Sequence, residues 1–290
     1  MKLATFTHNN QTSIGAVIED EIVDATLADD LPKDMISFLA AGQPALEKLQ
    51  TLIDIGVGRI PLEDVHLEAP IQNPQKFLAI GLNYGKHIAE TGLEKPEFPT
   101  FFNKQSSCVN GPFGPIHLPR VSEKLDYEGE LAFVIGKKCR HVPKEKAHEV
   151  IAGFMICNDV SVRDWQFWAQ TMTLGKSFDT HGPIGPWIVT PDEIEDPHNL
   201  NINVWVDDEQ RQAINTNEMI FDCYDMIKTL STAFTLMPGD IISTGTGAGV
   251  GVKMKPRGYM KAGQVCRIEI EGIGAIENPV IDEPEDTVLY

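Results

Sequence analysis

Short apolar runs set the rhythm of this chain. Beyond Pro74 they are punctuated by glycine, proline and asparagine: KFLAIG, ELAFVIG, IAGFMICNDV, GPWIVT, NINVWVDD, DIISTGT and VCRIEIEGIGAIENPV. Runs of this kind predict strands. Helical periodicity is rarer and predicts helices over 84–91, 144–150, 161–170 and 222–235. Before Pro70, SIGAVIEDEIVDA alternates like a hairpin with a tip at Glu19, Asp20 and Glu21. DMISFLAAG and ALEKLQTLIDIG read as short helices closed by Gly42 and Gly56. The fold class this predicts is α+β, strand-rich, a rolled sheet rather than alternating βαβ units. A small N-terminal packing or dimerisation domain over 1–70 would precede a larger domain over 71–290. The acidic end IDEPEDTVLY reads as a solvated tail.

One run breaks the apolar pattern at its start. In DYEGELAFVIG, Glu128 and Glu130 are two residues apart, so a strand points both carboxylates the same way. Acidic pairs in strands usually face solvent. Here both alternating sets that follow are apolar (Leu131, Phe133, Ile135 and Ala132, Val134), which predicts burial on both faces. Two buried like charges repel, and a hard divalent cation relieves that repulsion. Asp159, closing the apolar run IAGFMICN, offers a third oxygen ligand, or else forms an Asx turn with Asn158. Such a set suits magnesium, manganese or calcium better than zinc.

Other candidates cluster around these carboxylates in sequence. His87 and Glu90 fall at i, i+3, where a carboxylate can orient an imidazole for proton transfer, or the two form an ordinary surface pair. Arg163 and Gln166 share the same spacing, and Arg163 has the plainer role of pairing a neighbouring carboxylate. Lys176 in LGKSFDT points inward to stabilise an oxyanion, or is solvated like most lysines. STGTGAGVG lacks the Gly-Lys-Ser/Thr ending of a P-loop, so it reads as a glycine-rich loop where Thr246 approaches an anionic ligand.

Composition narrows the ligand. The formal net charge is −18, which opposes nucleic acid and anionic membranes as partners. An anionic substrate would therefore need local positive charge. The five cysteines are dispersed with no C-x-x-C, as expected of reduced thiols. No apolar run approaches the roughly 18–20 residues of a membrane span, and the N-terminus lacks a signal-peptide core, so the expected location is cytoplasmic.

The motifs GLNYGKHIAE, DYEGELAFVIGK, AGFMICNDVSVRDWQ, LGKSFDT, GPIGPWIVT, MPGDIISTGT and IEGIG occur in one order. Together they resemble the fumarylacetoacetate hydrolase superfamily over about residues 72 to 280, in its longer bacterial form. The resemblance implies a mixed β-roll assembled as a homodimer. It implies a magnesium or manganese ion on Glu128, Glu130 and Asp159, and a His87–Glu90 dyad on a segment that closes over ligand. Lys176 would be catalytic, and Arg163, Gln166 and Thr246 would bind a small anionic keto acid. The expected reaction is hydrolysis of a carbon–carbon bond in a 2,4-diketo acid through a metal-stabilised enolate. Fumarylpyruvate and 2,4-diketo-3-deoxy sugar acids are examples, placing the enzyme in aromatic or sugar acid catabolism. Oxaloacetate decarboxylation and isomerisation or tautomerisation are the alternatives. Two positions depart from the usual pattern. Gly247 stands where many relatives have proline, which suggests a looser loop, and His181 stands where many have an aromatic residue, lining the pocket or packing.

Overall fold

The computed structural model describes residues 1–86 and 94–288. Two sheets dominate it. From one edge to the other, the larger runs Arg59–Pro61, Glu21–Asp24, Gln11–Ile18, Lys2–His8, Gly182–Val189, Ile151–Asn158, Gly129–Ile135, Ile241–Ser243, Phe77–Gly81, Thr100–Lys104. It is mixed: Ile241–Ser243 lies parallel to Phe77–Gly81, while the neighbouring pairs are antiparallel. The second sheet carries Glu209–Asn215, Asn201–Val206, Val265–Ile270, Gly274–Asp282 and Ile116–Leu118. The architecture is α+β and rich in strands, as the apolar runs predict.

The strand Gly129–Ile135 lies in the interior of the large sheet and is buried throughout. Leu131, Phe133 and Ile135 enter a cluster shared with Val204 and Ile268 of the second sheet. Ala132 and Val134 enter a different cluster, with Leu3, Ile14, Phe38 and Leu49 from the first seventy residues. A strand covered on both faces has no reason to alternate apolar with polar, which explains its unbroken apolar run. Gly129 lies at a close approach of the two sheets: a Cβ there would stand 2.3 Å from Val204 Cγ2.

The first seventy residues share the main sheet and one of its cores. Lys2 and Leu3 pair with Val189 and Ile188, and the N-terminal ammonium lies 2.8 Å from Glu193. The two helices form at Met35–Ala41 and Gln43–Ile55, burying Ala45, Leu49 and Ile53 at fourfold spacing. Gly56 ends the second in the left-handed region, φ 71°.

Two local expectations change, and a third holds in part. Residues 144–150 form a 3-10 turn that runs directly into the strand Ile151–Asn158, leaving no length for an α-helix. Within 161–170, Ser161–Val162 is drawn into a strand pair with Leu125–Asp126, and only Arg163–Gln166 is helical. The tail is exposed over 285–288, as expected of a solvated end, and is docked only at its start: the last long strand reaches Asp282, and the Glu283 carboxylate accepts the Arg120 N–H at 3.0 Å. The helix expected over 222–235 forms at Cys223–Ala233, capped by Asp222. Of 84–91, Gly85 and Lys86 are helical, and the remainder begins the segment outside the described residues.

Gly129→Ala should force the two sheets apart and cost about 1–3 kcal/mol. Urea denaturation checks this; an unchanged midpoint would contradict the tight approach.

Candidate metal centre and active-site pocket

The site grows from the pairing of two buried strands. Glu130 lies opposite Cys157, and Gly129 opposite Asn158. Just beyond this register, the Asp159 N–H donates to the Glu128 carbonyl at 3.0 Å, and the Glu128 N–H donates to Asn158 Oδ1 at 3.1 Å. These bonds tie the end of one strand to the beginning of its neighbour. Glu128, Glu130 and Asp159 thereby converge, with one oxygen from each within 4.8 Å of the others. Their exposures are 7%, 1% and 1%, so the solvent-facing alternative does not apply.

Cations crowd the same volume. Lys176 Nζ is 2.6 Å from Glu128 Oε2 and 2.7 Å from Asp159 Oδ2. Lys104 Nζ is 2.8 Å from Asp159 Oδ1 and also donates to the carbonyls of Lys176 and His181. Arg163 reaches Glu128 Oε1 through Nη1 and Asp126 Oδ2 through Nε, both at 2.7 Å. Its Nη1 also donates to Gln166 Oε1 at 2.9 Å, so the expected i, i+3 pair forms. Burial opposes the charge on Lys104 and Arg163. The charges of Asp159 on the first, and of Asp126 and Glu128 on the second, outweigh it and hold both pKa values above their usual range.

Glu130 has no such partner in the described residues. Its Oε2 accepts from the Ser243 hydroxyl at 2.5 Å and the Gly245 N–H at 2.9 Å. Burial, with the Asp159 and Glu128 charges, pushes its pKa well above the carboxylate range. Four buried carboxylates (Asp126, Glu128, Glu130, Asp159) thus face three buried cations (Lys104, Arg163, Lys176) among the described residues. One negative charge is left over, beside three convergent hard oxygen donors. That donor set and that charge fit a divalent cation.

The cluster opens on a cavity of about 280 Å³. Glu128, Glu130, Arg163, Gln166, Lys176 and Thr246 line it, and Asp159 stands behind Lys176. Phe102, Phe167 and Met172 contribute an apolar wall. Arg163 Nη2 is buried without a hydrogen-bond partner. His87 and Glu90 lie outside the described residues.

The Thr246 hydroxyl is engaged by the protein: it donates to the Gly129 carbonyl and accepts from Gln212 Nε2, each at 2.9 Å. Gln212 also donates to the Gly247 carbonyl at 3.2 Å, and a Cβ at Gly247 would lie 2.3 Å from Ile214 Cγ2. The looser loop expected from Gly247 is therefore corrected. Gln212 pins the loop, and glycine is required by the approach of Ile214. His181 packs away from the cavity lining; its Nε2–H donates to the His117 carbonyl at 2.8 Å while Nδ1 has no partner. Burial pushes its pKa down to about 3.

Lys104, Asp126, Gln212 and Ser243 belong to this network and were not singled out from the sequence. Two left a signal. Asp126 extends the period-two series of Glu128 and Glu130, and Lys104 shares the buried parity of Phe102 in Thr100–Lys104. Gln212 and Ser243 left none, because their partners come from other strands.

Comparison with known proteins gives a consistent picture. Residues 76–281 match the family model for the fumarylacetoacetate hydrolase C-terminal domain. The chain is 42% identical over 288 residues to the mitochondrial oxaloacetate tautomerase of Xenopus laevis, covering 97% of this chain and 90% of that one. The crystal structure of maleylpyruvate hydrolase from Sphingobium sp. SYK-6, in complex with manganese(II) and pyruvate, superposes with a TM-score of 0.84 at 34% identity, covering 98% and 100% of the chains. The 5-carboxymethyl-2-hydroxymuconate delta-isomerase of Mycobacterium smegmatis superposes with a TM-score of 0.79 at 32% identity, with the same coverage.

Lys104→Met should leave Asp159 Oδ1 and the carbonyls of Lys176 and His181 buried without this donor, with Lys176 alone facing Asp159, and cost about 3–5 kcal/mol, read from urea denaturation. His181 stays neutral in the fold, while the unfolded chain protonates it near its ordinary 6.5. Its contribution is therefore lost as pH falls through about 6.5 toward 3. His181→Gln should flatten the decline in stability between about pH 7 and 4.5; an equally steep decline would assign it to other groups.

Proposed function

The chain belongs to the fumarylacetoacetate hydrolase family, and from that premise we propose that it is a divalent-metal-dependent enzyme working at the enolisable carbon of a small 2-oxo acid. The observation that carries this reading is the convergence of three buried carboxylates, Glu128, Glu130 and Asp159, in a cluster that among the described residues has one charge more than its cations and opens on a cavity of about 280 Å³. Glu128, Glu130 and Asp159 would hold magnesium or manganese. When bound, the ion supplies Lewis-acid attraction for the carboxylate and keto oxygens of the substrate, which makes the adjacent carbon more acidic.

The protein's own groups do the remainder. The unpartnered Arg163 Nη2 is a ready donor for a substrate carboxylate, and Gln166, bonded to the same guanidinium, fixes its plane. The Lys176 ammonium donates to the keto oxygen as that atom gains charge. His87, oriented by Glu90, moves the proton. Thr246, with its hydroxyl occupied, shapes the floor of the cavity.

Within this chemistry, keto–enol tautomerisation of an oxaloacetate-like acid is the leading reading. Its support is the near-full-length similarity to the Xenopus laevis enzyme. Acylpyruvate hydrolysis, the reaction expected from the motifs, is the second. It is favoured by the likeness to maleylpyruvate hydrolase and by a His-Glu pair suited to activating water. The reading includes a homodimer, with residues 1–70 as a packing unit, and a reducing compartment, the cytoplasm, for the free cysteines. Among the described residues no helix is long and apolar enough to cross a membrane.

A substrate panel separates the two reactions. With added Mg2+ or Mn2+, enol–keto conversion of oxaloacetate is followed by ultraviolet absorbance, and cleavage of acetylpyruvate and fumarylpyruvate by mass spectrometry. Tautomerisation should dominate; cleavage without it would reverse the order. Turnover of no 2-oxo acid with either ion would sink both. Removing the metal with EDTA should abolish turnover, and adding Mn2+ should restore it. Glu128→Gln should lose Mn2+ binding by calorimetry and lower turnover more than about a hundredfold, since the ion contributes several kcal/mol.

A further inference from the structure

The cavity is lined by a further cation whose charge is not spent. Lys253 borders it together with Val252. Among the described residues its ammonium has neither a carboxylate nor a hydrogen-bond partner, whereas Lys104, Arg163 and Lys176 are all paired. Lys255 and Arg257 follow it on the exposed side of the same loop. In a chain of net charge −18, a stretch with three cations and no acid between 253 and 257 is a local reversal of sign.

The position of Lys253 is built, not incidental. The N–H groups of Gly251 and Val252 donate to the two oxygens of Asp126, each at 2.8 Å. The same carboxylate accepts Arg163 Nε at 2.7 Å. One buried acid therefore fixes both the arginine at the carboxylate cluster and the backbone just before Lys253. The approach is so close that a Cβ at Gly251 would stand 2.6 Å from Asp126 Oδ1. The Lys253 N–H closes the turn onto the Val250 carbonyl at 3.0 Å.

We propose that Lys253 is the residue that recognises the second, distal carboxylate of an oxaloacetate-like acid and so sets a preference for dicarboxylic over monocarboxylic 2-oxo acids. This rests on the 2-oxo acid reading above. The head of such a substrate is served by Arg163, Lys176 and the carboxylate cluster. Its far end meets an apolar wall that includes Phe102 and Met172, where a carboxylate loses water without recompense unless a cation meets it. Lys253 is the unpaired cation lining that cavity among the described residues. A lysine is a point charge on a flexible stem, so it accommodates acids of more than one length.

Calorimetry on the Mn2+-loaded full-length protein tests this with 2-oxoglutarate, which has two carboxylates, and 2-oxobutyrate, which has one. The wild type should bind 2-oxoglutarate more tightly. Lys253→Gln should weaken that binding about tenfold and leave 2-oxobutyrate within about twofold, while Lys253→Arg keeps the preference. If Lys253→Gln keeps the wild-type preference, or the wild type has none, the assignment of Lys253 falls and the 2-oxo acid reading stands. If neither acid binds the wild type, that reading falls and the role of Lys253 with it.

Discussion

Everything in the site depends on an imbalance of buried charge. Glu128, Glu130 and Asp159 are brought together where two interior strands meet, and among the described residues three nearby cations face four carboxylates. Water cannot screen this excess, because each of the three converging side chains is nearly inaccessible. Among the described residues the excess is one negative charge, which a bound cation or a proton on Glu130 would offset. Burial first, and then the charges of Asp159 and Glu128, raise the pKa of Glu130.

The surrounding fold can be understood as what makes that imbalance tolerable. Lys104 lies beneath Asp159 and holds the carbonyls of Lys176 and His181, so one ammonium organises three separate segments. Asp126 does the converse work with one carboxylate, binding Arg163 and two N–H groups of the loop that carries Lys253. Gln212, from the second sheet, closes the circuit by holding Gly129, Thr246 and Gly247. Loss of any one leaves a polar group buried without a partner, which is why the network behaves as a unit. The family relationship fits this picture: the matched region spans the interior strands and the second sheet, and the first seventy residues extend the same sheet from outside.

Much of this was legible in the sequence because strand periodicity is strict. Glu128 and Glu130 had to share a face, and the apolar residues that follow them had to be covered on both sides. Asp159 was legible as a carboxylate ending a buried run. The failures came where a local pattern was overruled by a distant partner. The segment 161–170 has helical spacing, yet Ser161 and Val162 are claimed by Leu125 and Asp126. Gly247 read as a loosening of its loop, but Ile214 and Gln212 hold it in place.

The sequence by itself determined the strand-rich composition, the shared face of the two glutamates, and the residue types able to hold a hard cation. It did so because covalent alternation and side-chain chemistry are local properties. Only the tertiary structure decided the balance of charge. That balance depends on Lys104 reaching Asp159 from 55 residues away, and on Asp126 reaching Gly251 from 125 residues away. A sum over charges requires knowing which of them share a volume, and that is set by folding rather than by order along the chain.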